Sequence, residues 1–309
     1  MNSTNRRAQN VTVIYIGGYG RSGSTILDVI LGNHPAFFGA GELTHAFRLI
    51  DSQGLCSCGA LFKVCPFWGA VKQRVPRDSL GMDFGALAEM TKDLEDIVGK
   101  RKGQEKYVHA WGLLLRAIFE ESGAIFAVDS SKSTWKVARR IGLLKKVGIE
   151  IRLIHLVRNP LAVMWSIQRG SNRLLEQKED ARLRGGMVRG LASWVSANLL
   201  FERYQKRTGF LCLRVRYEDL VADPAAEARK IGDWLQIGMD PIIKKISNYE
   251  SLSPGHGLSG NRVRRQGEIR IHPDHQWKKA MPRYGSVLSL LIYPVARRYG
   301  YSWEDMIKR

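Results

Sequence analysis

The chain has 309 residues, 44% hydrophobic and 25% charged, which excludes a disordered chain, a fibre or a bare disulfide scaffold. It carries 48 Lys and Arg against 29 Asp and Glu, a net charge of +19. The excess concentrates in 136–216 and again in 260–283, and such a field attracts phosphates, sulfated or acidic ligands, nucleic acid or an anionic membrane surface without choosing among them. The longest apolar stretch, Gly285–Ala296, contains Pro294 and falls well short of the roughly 20 residues a spanning helix needs. The start, MNSTNRRAQN, lacks the apolar core of a secretion signal. A cytoplasmic protein of one domain over 1–309, with residues 1–10 a flexible N-terminus, is the expectation.

In chain order, a first buried strand is expected at Val11–Ile16. It runs into Gly17-Gly18-Tyr19-Gly20-Arg21-Ser22-Gly23-Ser24-Thr25 and then a helix over Thr25–Gly32. A glycine-rich turn from strand to helix points backbone N–H groups at an anion from the positive end of the helix dipole. Gly18 and Gly23 have the spacing of the nucleotide triphosphatase loop, but Ser24 stands where that loop has lysine, and the charge sits inside the loop at Arg21. This suits a 5′-phosphate better than a metal-bound triphosphate.

Cys56, Cys58 and Cys65 cluster in GLCSCGALFKVCPFW. Three thiolates would suit zinc if a fourth ligand came from elsewhere; a loop disulfide or reduced thiols are the other readings, and no metal is assigned to the site. Helices are expected at Phe84–Val98 and Lys106–Glu121, a second strand at Ile125–Val128, and a helix at Thr134–Lys146. The third strand, Ile151–Val157, leads into Arg158-Asn159-Pro160, with Asn159 an N-cap and Pro160 the first residue of a helix to Gly170. Arg158 at the strand exit and Ser166 less than two turns into that helix are near enough to share one anion. His155, inside the strand, reads as a core residue. A helix over Met187–Arg207, a fourth strand over Phe210–Val215, a helix start at Asp223-Pro224 and a long loop over Glu250–Pro273 complete the chain. Alternating strands and helices imply an α/β fold, a mostly parallel sheet flanked by helices, with ligands beyond the carboxyl ends of the strands.

At Arg21-Ser22-Gly23-Ser24-Thr25, followed by Leu27, Leu31 and His34-Pro35, the chain resembles the sulfotransferases that use 3′-phosphoadenosine 5′-phosphosulfate (PAPS), in their carbohydrate and tyrosylprotein branches and bacterial relatives. The Arg158 and Ser166 pair reproduces that family's 3′-phosphate spacing, and Arg216-Tyr217-Glu218-Asp219-Leu220 resembles a family segment read here as structural. The resemblance implies a P-loop-like three-layer fold and transfer of a sulfuryl group to a hydroxyl, on a carbohydrate, lipid, small metabolite or tyrosine, with no metal required. It assigns Gly20, Arg21, Ser22, Gly23, Ser24 and Thr25 to the 5′-phosphosulfate and Arg158 and Ser166 to the 3′-phosphate. Arg264 is assigned by position in His256–Arg265, which is similar to a loop that folds over the nucleotide; Arg262 and Arg265 stay open. Glu42 is implied as general base, with a helix cap as its other reading and His45 in reserve. Lys132 and Arg21 are implied to stabilise charge on the leaving and transferred groups. The stretch 42–107, with Cys56–Trp68, is the expected acceptor wall.

Two other classes remain. A nucleotide kinase or triphosphatase with a degenerate loop would need magnesium and ATP, against the missing lysine. A nucleic-acid-binding protein would bind with a steep salt dependence, but no recognised module appears and aromatics do not interleave with the basic runs. No nucleic-acid partner is expected.

Overall fold

A computed structural model describes residues 11–75, 81–95, 103–132, 140–145, 148–168, 186–260, 264, 267–272, 275–280 and 283–307. Residues 1–10, Ser133, Arg262 and Arg265 and most of the expected 134–146 helix lie outside the described residues. Five parallel strands form one sheet in the order β2-β3-β1-β4-β5. They are β1 (Thr12–Gly17), β2 (Phe37–Gly41), β3 (Phe126–Lys132), β4 (Glu150–Val157) and β5 (Cys212–Arg216). Four match the apolar runs in the sequence. The fifth, β2, reads FFGAG and lacks the β-branched residues that announce a strand. Its glycine at position 39 is required because a Cβ there would crowd the Asp28 carbonyl on the neighbouring helix.

The period-2 alternation of β1 divides the core. Val13 and Tyr15 face α2 (Pro66–Arg74), α3 (Phe84–Glu95) and α4 (Gln104–Ser122). Ile14 and Ile16 face α1 (Ser24–Gly32) and the helices that follow β5. Both faces are buried, as expected for a parallel sheet with helices on each side. Leu27, Ile30 and Leu31 of α1 are fully buried against the second face, each contributing roughly 1.5–3 kcal/mol by leaving water. A third cluster gathers α5 (Pro160–Gln168), α6 (Gly186–Thr208) and the C-terminal helices around Trp194, Tyr299 and Tyr301.

Local signals hold at the helix starts. Asn159 accepts from the backbone N–H of Leu161 at 2.9 Å, capping α5. Asp223 accepts from Ala226 N at 2.9 Å and caps the helix Pro224–Leu235. Glu218 takes the Asn159 N–H and the Tyr301 hydroxyl, both at 2.9 Å, so its role is structural. His155 is buried beside Asn198, 2.9 Å away, and burial pushes its pKa down to about 4. No helix among the described residues is long and apolar enough to cross a membrane.

Candidate active site

The carboxyl ends of β1, β2, β3 and β4 bring the candidate site residues together. β1 exits into a loop whose conformation only glycine tolerates at two points. A Cβ on Gly18 (φ 121) would overlap the Leu156 carbonyl, and one on Gly23 (φ 95) would overlap the Tyr217 ring. Gly23 is also the N-cap of α1, so the loop ends at a helix N-terminus, where backbone N–H groups and the dipole favour an anion.

Arg21 and Lys132 are two of the five non-glycine residues in the left-handed region among those described, at φ 68 and φ 64. Such strain persists where surrounding contacts hold it and concentrates at functional sites. Arg21 is held by α5: its Nε donates to Ser166 Oγ at 3.0 Å and its Nη2 to the Ser166 carbonyl at 3.2 Å. Arg158 reaches back across from β4, and its Nη1 donates to the Arg21 carbonyl at 3.1 Å. Its guanidinium lies 4.1 Å from the centroid of Tyr217, and its own carbonyl accepts from Trp194 Nε1 at 3.1 Å. Arg21, Arg158 and Ser166, 137 and 145 positions apart in the chain, therefore share one corner. Ser22, Ser24 and Thr25 lie buried beside it, and Gly20 has open space where a side chain would stand. Ser22 Oγ has no hydrogen-bond partner among the described residues.

A second corner forms where β2 and β3 end. Lys132 Nζ donates to Glu42 Oε1 at 2.6 Å, and His45 Nε2 lies 3.5 Å from Glu42 Oε2. Burial alone would raise the Glu42 pKa, but the hydrogen bond from His45 and the charge of Lys132 outweigh it, holding the carboxyl below its ordinary value. Glu42 stands at the N-cap of a short helical turn, Leu43–His45, without a side-chain capping bond. The capping alternative therefore finds no hydrogen bond.

This corner is built by long-range links. Asp129 Oδ1 accepts from Leu43 N at 3.3 Å and from Ser131 N at 3.0 Å, while its other oxygen pairs with the buried Arg140 at 2.5 Å. Thr44 N donates to Ser131 Oγ at 3.1 Å. From the far end of the chain, Leu258 accepts from Glu42 N at 2.7 Å and donates to the Ala40 carbonyl at 2.8 Å. Gly41 (φ 74) is obligatory here, because a Cβ would overlap the Leu258 backbone.

The Glu42–Lys132 corner opens onto a cleft of about 640 Å³, lined by Glu42, Ser131, Lys132 and α6, including Arg189, Ser193 and Ser196, and by Gly18–Gly20, which lead into the loop that carries Arg21. Of the expected acceptor wall, Glu42 lines this cleft and Cys56–Trp68 does not; Phe62 and Trp68 are buried in the core, and α6 supplies the small residues of the cleft wall. Arg264 is 2% exposed, ion-paired with Asp28 of α1, and its Nη1 donates to the Pro254 carbonyl at 3.3 Å. The pair holds Arg264 against α1, since a buried arginine must be paired to be tolerated. The clustered cysteines gather with His256, a partner that sequence reasoning did not supply.

Residues 72–241 match the profile of the sulfotransferase family, a span that contains Arg158 and Ser166 but begins after the Gly18–Thr25 loop. Among solved structures, the sulfotransferase domain from the Synechococcus PCC 7002 olefin synthase superposes with a TM-score of 0.52 at 20% identity, over 97% of this chain and 98% of that chain. The sulfotransferase domain from the curacin biosynthetic pathway gives 0.53 at 19% identity, over 93% and 98%. At such identities the likeness is one of fold. No curated protein sequence matches the chain. The profile covers more than half of the residues, and with it the chain belongs to the sulfotransferase family.

Proposed function

We propose that this enzyme moves a sulfuryl group from PAPS to an acceptor hydroxyl, with Gly20–Thr25 holding the 5′-phosphosulfate and Arg158 and Ser166 the 3′-phosphate. The observation that carries the reading is the convergence of Arg21, Arg158 and Ser166 on one corner beside a helix N-terminus. The buried Ser22 hydroxyl, without a partner among the described residues, supports an anion there, because a buried donor left unmade is costly.

Bound there, the nucleotide supplies an activated sulfuryl group and a good leaving group. The chain's own residues do the rest. Arg21 and Lys132 place positive charge where negative charge develops during in-line transfer. Glu42 accepts the acceptor's hydroxyl proton. Its pairing with Lys132 keeps it ionised and weakly basic at rest. Drawing Lys132 toward an incoming anion loosens that pair and raises the basicity of Glu42 as the site fills. The cleft beside α6 is lined by small side chains and by Arg189, room for a hydroxyl-bearing carbohydrate, lipid, metabolite or tyrosine side chain.

Calorimetric titration with adenosine 3′,5′-bisphosphate, beside 5′-AMP and ATP, with and without EDTA, tests this reading. Binding that needs the 3′-phosphate and ignores EDTA is expected. Preference for ATP with magnesium, or no binding at all, overturns the donor assignment.

A further inference from the structure

Outside the cleft, the side chains of Cys56, Cys58, Cys65 and His256 meet, with all four ligand atoms within 4.8 Å of one another. Cys65 Sγ lies 3.7 Å from Cys56 Sγ and 3.7 Å from Cys58 Sγ. His256 Nδ1 lies 3.3 Å from Cys65 Sγ and 3.9 Å from Cys56 Sγ. A tetrahedron with zinc–sulfur bonds of about 2.3 Å and zinc–nitrogen bonds of about 2.0–2.1 Å has edges of roughly 3.7 Å between sulfurs and roughly 3.5 Å from sulfur to nitrogen. Four of the six separations, 3.3–3.9 Å, lie close to those edges and the other two are within 4.8 Å; the sulfur–sulfur distances of 3.7 Å are too long for a bond of about 2.05 Å. All four cysteines are free thiols.

The surrounding bonds orient the ligands as a metal site requires. The His256 ring stacks on Phe67 at 5.3 Å and 15°, and the His256 carbonyl accepts from Trp68 Nε1 at 2.6 Å. Ser57 Oγ donates to the Gly257 carbonyl at 2.8 Å. A tight turn brings Gly59 N onto the Cys56 carbonyl at 3.0 Å and presents Cys56 and Cys58 to one point. Cys56 and Cys65 are buried, and Cys58 faces solvent.

We propose that these four residues bind one structural zinc ion. Four protein ligands close the coordination shell, so no position is left for water or substrate and the ion is not a catalyst. On binding, Zn²⁺ forms three bonds to sulfur and one to the neutral His256 Nδ1, and the three thiol protons pass to solvent. The ion fastens the loop after α1 and β2 to a stretch about 190–200 residues later. Two positions beyond His256, Leu258 makes its paired bonds to Ala40 and Glu42. The zinc therefore anchors the strap that fixes the Glu42 backbone.

The test uses the full chain, purified without a polyhistidine tag in reducing buffer, and elemental analysis. One zinc per chain is expected; Cys65→Ser loses it, while Cys212→Ser, whose cysteine lies outside the cluster, keeps it. His256→Ala lowers zinc affinity at least tenfold in competition with a chromophoric chelator. Cobalt substitution of the wild type, which needs no variant to fold, shows tetrahedral ligand-field bands and sulfur-to-cobalt charge transfer. Hydrogen exchange at 40–42 and 256–258 speeds up after chelation. Wild-type protein that stays substoichiometric when zinc is supplied, equal loss in the Cys212 and Cys65 variants, or an octahedral cobalt spectrum overturns the proposal. None of these readouts depends on sulfuryl transfer.

Discussion

The two corners of the candidate site are built by opposite strategies. The Arg21–Arg158–Ser166 corner comes from strand-to-helix junctions, where each residue is placed by the strand end beside it and by a glycine or asparagine that sets the turn. The Glu42–Lys132 corner is set from a distance: Asp129 and Ser131 tie the Leu43–Thr44 backbone to β3, and Leu258 ties Glu42 to the end of the chain. The proposed anion corner rests on local geometry, whereas the proposed proton-transfer corner depends on several remote partners at once.

Substitutions at the second corner should show the larger effects. Glu42→Gln keeps the shape and the Lys132 contact but removes the base; turnover with labelled PAPS and a screened acceptor should fall about 10²–10⁴-fold, with bisphosphate affinity nearly unchanged. Because Lys132 and His45 depress the Glu42 pKa, the carboxylate stays charged as pH falls through its ordinary value of 4.5. The acid limb of kcat/KM should accordingly lie below pH 4.5 in the wild type and move up in Lys132→Met. Asp129→Asn removes the carboxylate charge paired with the buried Arg140 and should cost about 3–5 kcal/mol of stability by denaturant titration. It should also lower kcat in the folded fraction. An Asp129→Asn protein as stable and active as wild type would break the idea of a remotely built corner.

At the first corner the effects are smaller and confined to binding. Arg158→Ala should weaken bisphosphate affinity by about 1.5–3 kcal/mol, the worth of a charged hydrogen bond, and should leave 5′-AMP almost untouched. Equal losses for both nucleotides would move Arg158 away from the 3′-phosphate. Ser166→Ala removes one acceptor from Arg21 and one donor to an anion, and should cost about 0.5–1.5 kcal/mol in the same titration.

The sequence was legible where a signal was local. Four strands were visible as apolar runs, and Asn159 and Asp223 as helix caps, because short-range chemistry dictates both. The residues of the anion corner follow strand ends, so strand recognition carried them along. β2 escaped because its glycines, Gly39 packed against α1 and Gly41 against the Leu258 backbone, erase its strand signature. The α6 wall escaped because Ser193, Ser196 and their alanine neighbours look like an ordinary small-residue helix face until the cleft is seen. The partner of Arg264 was not legible, because position in a motif says nothing of Asp28, whose buried carboxylate pairs with it from within an otherwise apolar helix. His256 was invisible as a partner of the cysteines because only the completed fold closes the intervening span.

The bond pair at Leu258 also has a consequence for biosynthesis. All five strands have been translated by residue 216, so a nascent chain can assemble its sheet and anion corner while still on the ribosome. Ala40 and Glu42 nevertheless wait for Leu258, which leaves the exit tunnel only after several more helices have been made. The sheet precedes the tying of Glu42, and a chain released early would carry the strands with the Glu42 backbone still unfastened.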